Sequence, residues 1–240
     1  LLILGGNWLL KSAVSISLSL QIPKIVIGMT VVSFATSAPE LIVSIKAALN
    51  GYSDLALGNV IGSNIANLAL VLGITLLIAG MNVQRSFFTT NWPIMMISSI
   101  LLLLFLRNDY LISDFEGLIF VLFLLFFLVY LFRFQNQDII DDIPEDVDLL
   151  PVYKTFTLFI IGSLGLWGGS EMLITGATDL AITIGVSERL IGVTVVSFGT
   201  SIPELAASII AVLKKEKAIS LGNLVAVSYT HLRAHETRRY

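Results

Sequence analysis

The sequence predicts an all-α polytopic membrane protein that is built from two inverted copies of one helical unit. Of its 240 residues, 56% are hydrophobic and only 13% are charged, whereas about a quarter of the residues in a soluble domain are charged. The segment Gly28–Glu40 returns 164 positions later as Gly192–Glu204, with ten of thirteen residues identical. Each copy ends on a proline and a glutamate in an apolar stretch, which is typical of helices broken at the membrane midplane.

Seven apolar segments, with their flanks, reach the roughly 20 residues that a helix needs to cross a bilayer. We expect spans at 1–20, 24–49, 55–80, 92–107, 114–133, 153–180 and 190–213, and an eighth that begins near 218. The first copy of the repeat lies on the second span and the other copy on the seventh. Because five crossings separate them, an odd number, the two copies run through the membrane in opposite directions.

The chain divides into four parts. Residues 1–134 are expected to form a first five-helix repeat, and residues 153–227 an incomplete second repeat of inverted orientation. The acidic linker 135–152 between them lacks the ligand spacing and central glycine of an EF-hand loop, so a solvated linker is favoured over a calcium sensor. Residues 228–240 hold both histidines and three of the seven arginines. This tail resembles translated cloning sequence, with a basic tail held against anionic lipid as the alternative.

Basic residues predict the orientation, since cytoplasmic loops carry an excess of lysine and arginine. With the N-terminus outside, the outer loops hold Lys46, Arg107 and Arg189. The inner loops then hold Lys24, Arg85, Arg133, Lys154, Lys214, Lys215 and Lys217. This excess of seven basic residues in the inner loops over three in the outer loops predicts a multi-pass cell-membrane protein. Its N-terminus would lie outside and its acidic linker in the cytoplasm.

The repeated motif brings oxygen ligands into the membrane interior. Pro39 cannot continue a helix from the preceding turn, and Ser37 followed by Glu40 has the pattern of a capping box. We therefore expect one helix to stop and another to start here, beside the Thr36 hydroxyl and the Ser33 carbonyl. Such hard ligands suit calcium, sodium or magnesium. The second copy repeats the arrangement with Thr200, Ser201, Glu204 and the Ser197 carbonyl.

Span three carries a second polar motif, Gly58-Asn-Val-Ile-Gly-Ser-Asn-Ile-Ala-Asn67. Ser63 and Asn67 lie four residues apart on one helix face and are predicted ligands. Gly58 and Gly62, on the adjacent ridge, would let another helix approach closely. For Asn59, Asn64 and Asn223, pairing between helices is as good an interpretation as ion binding. The same pattern starts again at Gly222 and is then lost.

These residues resemble the cation/calcium antiporter superfamily, close to the prokaryotic sodium/calcium exchangers. The shared signatures are the paired Thr-Ser-x-Pro-Glu motifs and the Gly-Asn-x-x-Gly-Ser-Asn motif, and the resemblance runs from Leu1 to Leu224. It implies an inverted-repeat transporter fold of ten helices, seven to eight of them present here, with ion sites at the midplane. Because helices nine and ten have no counterpart, we expect a C-terminally truncated chain that is inactive by itself.

The resemblance also implies a ligand set. Glu40 and Glu204 would be the central carboxylates shared by calcium and sodium. Further oxygens would come from Thr36, Ser37, Ser63, Asn67, Thr200 and Ser201, and from the carbonyls of Ser33 and Ser197.

The function indicated is calcium/sodium antiport without covalent chemistry or a cofactor, by a monomer that binds no nucleic acid. Proton-coupled or potassium-coupled exchange and a cation channel remain open alternatives. The neutral Asn67 favours sodium without potassium, by resemblance. An enzyme is not expected, because the body of the chain has no histidine, no cysteine and no Gly-x-Ser-x-Gly motif.

Overall fold

The computed structural model describes residues 1–80, 87–109, 112–134, 150–186 and 199–230. Ten α-helices lie in these ranges. They are α1 (Leu2–Leu20), α2 (Lys24–Ile27), α3 (Ser33–Leu49), α4 (Ser53–Ala66), α5 (Leu72–Ile78), α6 (Trp92–Asp109), α7 (Asp114–Phe134), α8 (Val152–Thr183), α9 (Ile202–Leu213) and α10 (Lys217–Thr230). Three π-helical segments adjoin them, at Gly28–Val32, Asn67–Val71 and Phe87–Asn91.

Six of these helical segments are long and apolar enough to cross a membrane, judged by length and composition over the described ranges. They are Leu2–Leu20, Lys24–Leu49, Leu55–Ile78, Thr89–Arg107, Asp114–Arg133 and Val152–Thr183. Their ends lie within three residues of the predicted spans one to six. The predicted seventh span is described from Gly199 onward and contains α9, and α10 is the predicted eighth.

Helices α1 and α8 pack against each other along their length through glycines. A Cβ at Gly5 would lie 2.6 Å from the Leu166 backbone nitrogen, and a Cβ at Gly162 would lie 2.6 Å from the Leu9 nitrogen. At the other end of the contact, the Ser15 and Thr155 hydroxyls share a hydrogen bond of 2.9 Å. Along this contact the residue numbers increase on α1 and decrease on α8, so the two helices run antiparallel. This direction is the one that inverted repeats require of spans one and six.

The interior is shared by both halves of the chain. One hydrophobic cluster joins Leu9 of α1, Ile27 of α2, Leu166 of α8, Ala211 of α9 and Ile219 of α10. The contact between α10 and the first half is especially close at two glycines. A Cβ at Gly28 would lie 2.9 Å from Ile219 Cα, and one at Gly222 would lie 2.9 Å from the Met29 nitrogen. The second span is therefore held by a helix of the second repeat.

Charged groups join the helix ends at one face of the bundle. Lys24, at the start of the second span, forms an ion pair of 2.9 Å with Glu216 in the turn between α9 and α10. Lys217 donates to the Gly80 carbonyl after α5. The start of span two, the end of span three and the turn after α9 thus lie on the same side, as the predicted topology requires.

The predicted helix break in the first copy is wrong. We expected a helix to start at Ser37, but α3 begins at Ser33 and continues through Pro39 to Leu49. A proline inside a helix removes one backbone hydrogen bond, a loss that packed neighbours offset in membrane proteins. Here α3 contacts α4, α8, α9 and α10. The irregular backbone of this span lies earlier, in the π-helical segment Gly28–Val32.

The second copy does contain the break. The chain leaves helical geometry at Thr200, and α9 starts at Ile202 with Ser201 as its N-cap and Pro203 in its first turn. The Ser170 hydroxyl of α8 donates a hydrogen bond of 3.1 Å to the Gly199 carbonyl just before the turn. A side chain from a neighbouring helix therefore satisfies part of the interrupted backbone.

Candidate cation site

Two glutamates occupy the interior of the bundle. Glu40 in α3 and Glu204 in α9 are both fully buried, with 0% of their surface exposed. Their carboxyl groups are close enough to interact electrostatically with each other. The Ser37 hydroxyl, from the first copy of the repeat, donates a hydrogen bond of 2.8 Å to Glu204 Oε1 in the second. The structure thus brings the two acids together, as the sequence predicts, while their role as ion ligands stays a prediction.

Several buried polar atoms on these elements have no hydrogen-bond partner among the described residues. They are both carboxylate oxygens of Glu40, Oε2 of Glu204, the hydroxyls of Ser33 and Ser201, and the side-chain amide of Asn67. Buried polar atoms are nearly always paired in native proteins, and leaving one unpaired costs about 1–3 kcal/mol. Oxygens dominate the set, so a hard cation such as calcium or sodium fits it.

Thr36 lies one turn before Glu40 and is fully buried. Its hydroxyl has two acceptors at 3.2 Å, the Ser33 carbonyl and Oδ1 of Asn223 in α10. The hydroxyl also lies close enough to the Glu204 carboxyl to interact with it. A cation held by Glu204 would therefore be within reach of the Thr36 oxygen.

Span three contributes two buried side chains. Ser63 and Asn67 are 2% and 1% exposed. The Ser63 hydroxyl donates within its own helix, to Asn59 O at 2.7 Å or Val60 O at 3.1 Å, which leaves its lone pairs open to a cation. Asn67 opens the π-helical segment Asn67–Val71, which contacts both α9 and α10.

The remaining predicted ligands are only partly described. Ser201 is buried at 1% exposure, whereas Thr200 is partly exposed at the turn before α9. The capping box predicted around Ser201 is not formed, since this serine makes no side-chain cap bond and Glu204 bonds Ser37 instead. Ser197 lies outside the described residues, as does most of the acidic linker.

The glycines of span three do not pack as expected within the described ranges. A Cβ at Gly58 or Gly62 would have no described atom within 4 Å. Gly222 corresponds to Gly58 at the offset of 164 and does pack tightly, against the segment Ile25–Met29. The residues that correspond to that segment, 189–193, lie outside the described part of the chain.

The sequence matches the protein family described as Sodium/calcium exchanger protein over residues 1–133 and 154–231. The chain belongs to the sodium/calcium exchanger family. The matched region includes both glutamates and extends to the end of α10, beyond the stretch over which the motifs alone carry the resemblance.

Curated relatives agree with this membership. The putative antiporter CaxA of Alkalimonas amylolytica is 35% identical over 236 residues, which cover 94% of this chain and 72% of that protein. Inner membrane protein YrbG of Escherichia coli strain K12 is 35% identical over 240 residues, covering 95% and 72%. Sodium/calcium exchanger MaX1 of Methanosarcina acetivorans is 41% identical over 133 residues, covering 55% and 37%.

The fold agrees as well. The solved structure of the sodium/calcium exchanger from Methanococcus jannaschii matches with a TM-score of 0.83 at 26% identity, over 98% of this chain and 75% of that one. Together with the six apolar helical segments, this likeness confirms the predicted inverted-repeat transporter fold of a multi-pass membrane protein.

Sequence reasoning left three asparagines undecided. Asn64 donates within its own helix, to the Val60 carbonyl at 2.9 Å, whereas the other two contact other helices. Asn59 donates to the Ser44 hydroxyl at 2.8 Å and to the Glu40 carbonyl at 3.3 Å. Asn223 donates to the Ser208 hydroxyl at 3.2 Å. Ser44 and Ser208 are related by the same offset of 164 as the two asparagines. That shared offset was the available signal, because a repeated Asn–Ser pair predicts a repeated contact.

The candidate site contains few charged ligands for a metal site. No group of three or more histidine, cysteine, aspartate or glutamate side chains gathers in the ranges that the structure describes. The two acids are instead accompanied by neutral hydroxyl, amide and carbonyl oxygens. Such a mixture binds hard cations but lacks the nitrogen and sulfur ligands that zinc chemistry uses.

Proposed function

We propose that the protein is a secondary active antiporter that exchanges calcium for sodium across the membrane by alternating access. One observation carries this proposal. Glu40 and Glu204 come from opposed repeats, are fully buried side by side, and leave three of their four carboxylate oxygens without a hydrogen-bond partner in the described structure. Membership of the sodium/calcium exchanger family supports the same conclusion.

The charge of the pair accounts for coupled exchange. When both acids are ionised, the site carries a charge near −2, which one calcium ion or several monovalent ions neutralise. An ionised acid at the bilayer centre costs about 3 kcal/mol on insertion scales, so the loaded and empty sites differ strongly in stability. Reorientation is therefore slow when the site is empty and faster when it is loaded. Calcium and sodium compete for the same oxygens rather than binding together.

The packing of α1 on α8 suggests which part moves. The glycine contacts and the Ser15–Thr155 hydrogen bond join these two helices into one unit. An apolar cavity of about 530 Å³ lies beside that unit, between α1, α7, α8 and the second span. Its walls include Ile16, Phe34 and Phe156. Rocking of α1 and α8 against α3 and α9 would expose the site to one side at a time.

The orientation is part of the proposal. The face that holds Lys24, Gly80, Glu216 and Lys217 would be the cytoplasmic one, with the N-terminus outside, because the basic residues favour that side. The acidic linker would then lie in the cytoplasm. The partners are calcium, monovalent cations and the surrounding lipid.

The decisive measurement is calcium-45 uptake into proteoliposomes that hold the full-length protein, driven by an outward sodium gradient. We expect Glu40→Gln and Glu204→Gln each to lower uptake at least about a hundredfold, because each removes a charge that calcium needs. Glu171→Gln is the matched control, since Glu171 is exposed on α8. Full uptake by both site variants would overturn the assignment.

The same assay separates the alternative functions. If sodium drives exchange, replacing it with choline abolishes uptake, while uptake that follows a proton or potassium gradient would identify another coupling ion. Calcium flux with no cation on the opposite side would instead indicate a channel.

A further inference from the structure

We propose that Asn223 is a positioning residue that turns the Thr36 hydroxyl so that its lone pairs face the transported cation. This inference rests on the proposed function, because it concerns how one ligand of that site is prepared. Asn223 lies in α10, is 1% exposed, and has the Thr36 hydroxyl within 3.2 Å of its Oδ1.

A hydroxyl can bind a cation only through its lone pairs, so its single hydrogen must point at another acceptor. The Thr36 hydrogen has two such acceptors at 3.2 Å, the Ser33 carbonyl and Asn223 Oδ1. The Glu204 carboxylate is also within reach, but a cation held by Glu204 would repel a hydrogen that points there. If the hydrogen points at Ser33, it occupies a carbonyl that is itself a predicted ligand. If it points at Asn223, the oxygens of both Thr36 and Ser33 remain available to the ion.

The Asn223 amide has a second contact, with Ser208. Its Nδ2 donates to the Ser208 hydroxyl at 3.2 Å, and in this orientation Oδ1 faces Thr36. With the amide reversed, an N–H group would point at the Thr36 oxygen and use the lone pair that the cation needs. Ser208, Asn223 and Thr36 thus form one chain of hydrogen bonds, in which the amide oxygen is the end that accepts from the Thr36 hydroxyl.

The same contacts couple the two repeats. Thr36 lies one turn before Glu40 on α3, and Ser208 lies one turn after Glu204 on α9. Asn223 bonds to both, so a displacement of one glutamate helix relative to the other would change the Thr36 hydroxyl geometry. The Thr36 hydroxyl is therefore oriented to bind the cation only when α3 and α9 hold Glu40 and Glu204 in the observed relative position.

A double-mutant cycle tests this chain of contacts. In full-length protein in proteoliposomes, Asn223→Leu should raise the KM for calcium about tenfold with kcat within about twofold, the effect of one lost hydrogen bond to an ion ligand. In a Thr36→Val background, the same change should have no further effect on KM, because the hydroxyl through which it acts is gone. An equal rise in both backgrounds would overturn the proposal.

Two further variants guard against misfolding. Asn223→Gln keeps an amide oxygen for Thr36 and an amide N–H for Ser208 without adding a charge beside Glu40 and Glu204, so it should restore a KM within about threefold of wild type. Ser208→Ala removes the acceptor of the Asn223 Nδ2 group but keeps the amide. It should raise the KM for calcium in the wild-type background and not in the Thr36→Val background. Asn7→Leu is the control, since within the described ranges this amide bonds only the Ile3 carbonyl of its own helix. A KM for Asn223→Gln as high as that of Asn223→Leu would count against the inference.

The Glu40→Gln and Glu204→Gln variants distinguish the two levels of failure. If they retain exchange, the proposed function itself falls. If they abolish exchange while the effects of Asn223→Leu and Thr36→Val simply add, only the positioning role is wrong.

Discussion

Ser37 and Ser201 hold equivalent positions in the two repeats but have different surroundings. The Ser37 hydroxyl donates to Glu204, whereas the Ser201 hydroxyl is buried with no hydrogen-bond partner in the part of the chain that the structure describes. A buried hydroxyl without a partner destabilises the protein that holds it, unless a ligand supplies the missing contact. The asymmetry therefore predicts that the two serines contribute differently to stability and to ion binding.

We expect Ser201→Ala to keep or raise the Tm measured without calcium, because it removes an unpaired polar atom. The same variant should reduce the rise in Tm that calcium produces, because a ligand oxygen is lost. Ser37→Ala should instead lower the calcium-free Tm, since Glu204 loses its donor. Thermal unfolding of purified protein in chelator and in calcium measures both quantities, with Ser163→Ala on α8 as control. A calcium-dependent rise that is unchanged in Ser201→Ala would remove this serine from the ligand set.

The sequence was sufficient to predict that Glu40 and Glu204 meet in the interior, because a carboxylate in a repeated apolar segment has few structural explanations. It was not sufficient for Asn223. Its contacts reach Thr36, 187 positions away, and Ser208. Whether such an amide joins helices or prepares a ligand depends on which side chain faces it, and that is a property of the packed bundle.

Glycine spacing controls how closely whole helices approach. Gly162 and Gly168 both lie on α8, less than two turns apart, yet their surroundings are opposite. A Cβ at Gly162 would lie 2.6 Å from the backbone of α1, and one at Gly168 would have no described atom within 4 Å. The two positions form a matched pair for testing the α1–α8 contact.

We expect Gly162→Ala to lower the Tm by several degrees, because the added methyl group must push two helix backbones apart. Gly168→Ala should leave the Tm unchanged or raise it slightly, since alanine favours helix more than glycine does. Thermal unfolding in one detergent compares the two directly. Equal Tm values for both variants would show that the α1–α8 contact is looser than the glycine geometry indicates.

Helix boundaries show where sequence reasoning failed. Pro39 and Pro203 occupy the same place in their repeats, and the same break was predicted for both. Only the second copy turns, at Thr200 and Ser201, while α3 continues through its proline. Whether a proline interrupts a membrane helix depends on how neighbours satisfy the freed backbone groups, and the local sequence does not specify those neighbours.

At the scale of the whole molecule, alternating access requires that some helix contacts persist and others change. The α1–α8 contact joins helices that are proposed to move together, through Ser15 and Thr155. The contact between Gly6 of α1 and Ile210 of α9 joins the moving unit to the helix that carries Glu204. The first contact should survive the transport cycle, and the second should not.

Disulfides can lock each contact separately, and the chain contains no cysteine that would interfere. The Ser15 and Thr155 oxygens are 2.9 Å apart, and a Cβ at Gly6 would lie 3.5 Å from Ile210 Cγ1, so we choose these two contacting pairs for cysteine substitution. We expect oxidised Ser15→Cys/Thr155→Cys protein to retain most of its sodium-driven calcium uptake. Oxidised Gly6→Cys/Ile210→Cys protein should lose it and recover it on reduction. If the first disulfide blocks uptake reversibly, α1 and α8 move against each other, and the proposed rocking of one rigid pair cannot be how the site changes sides.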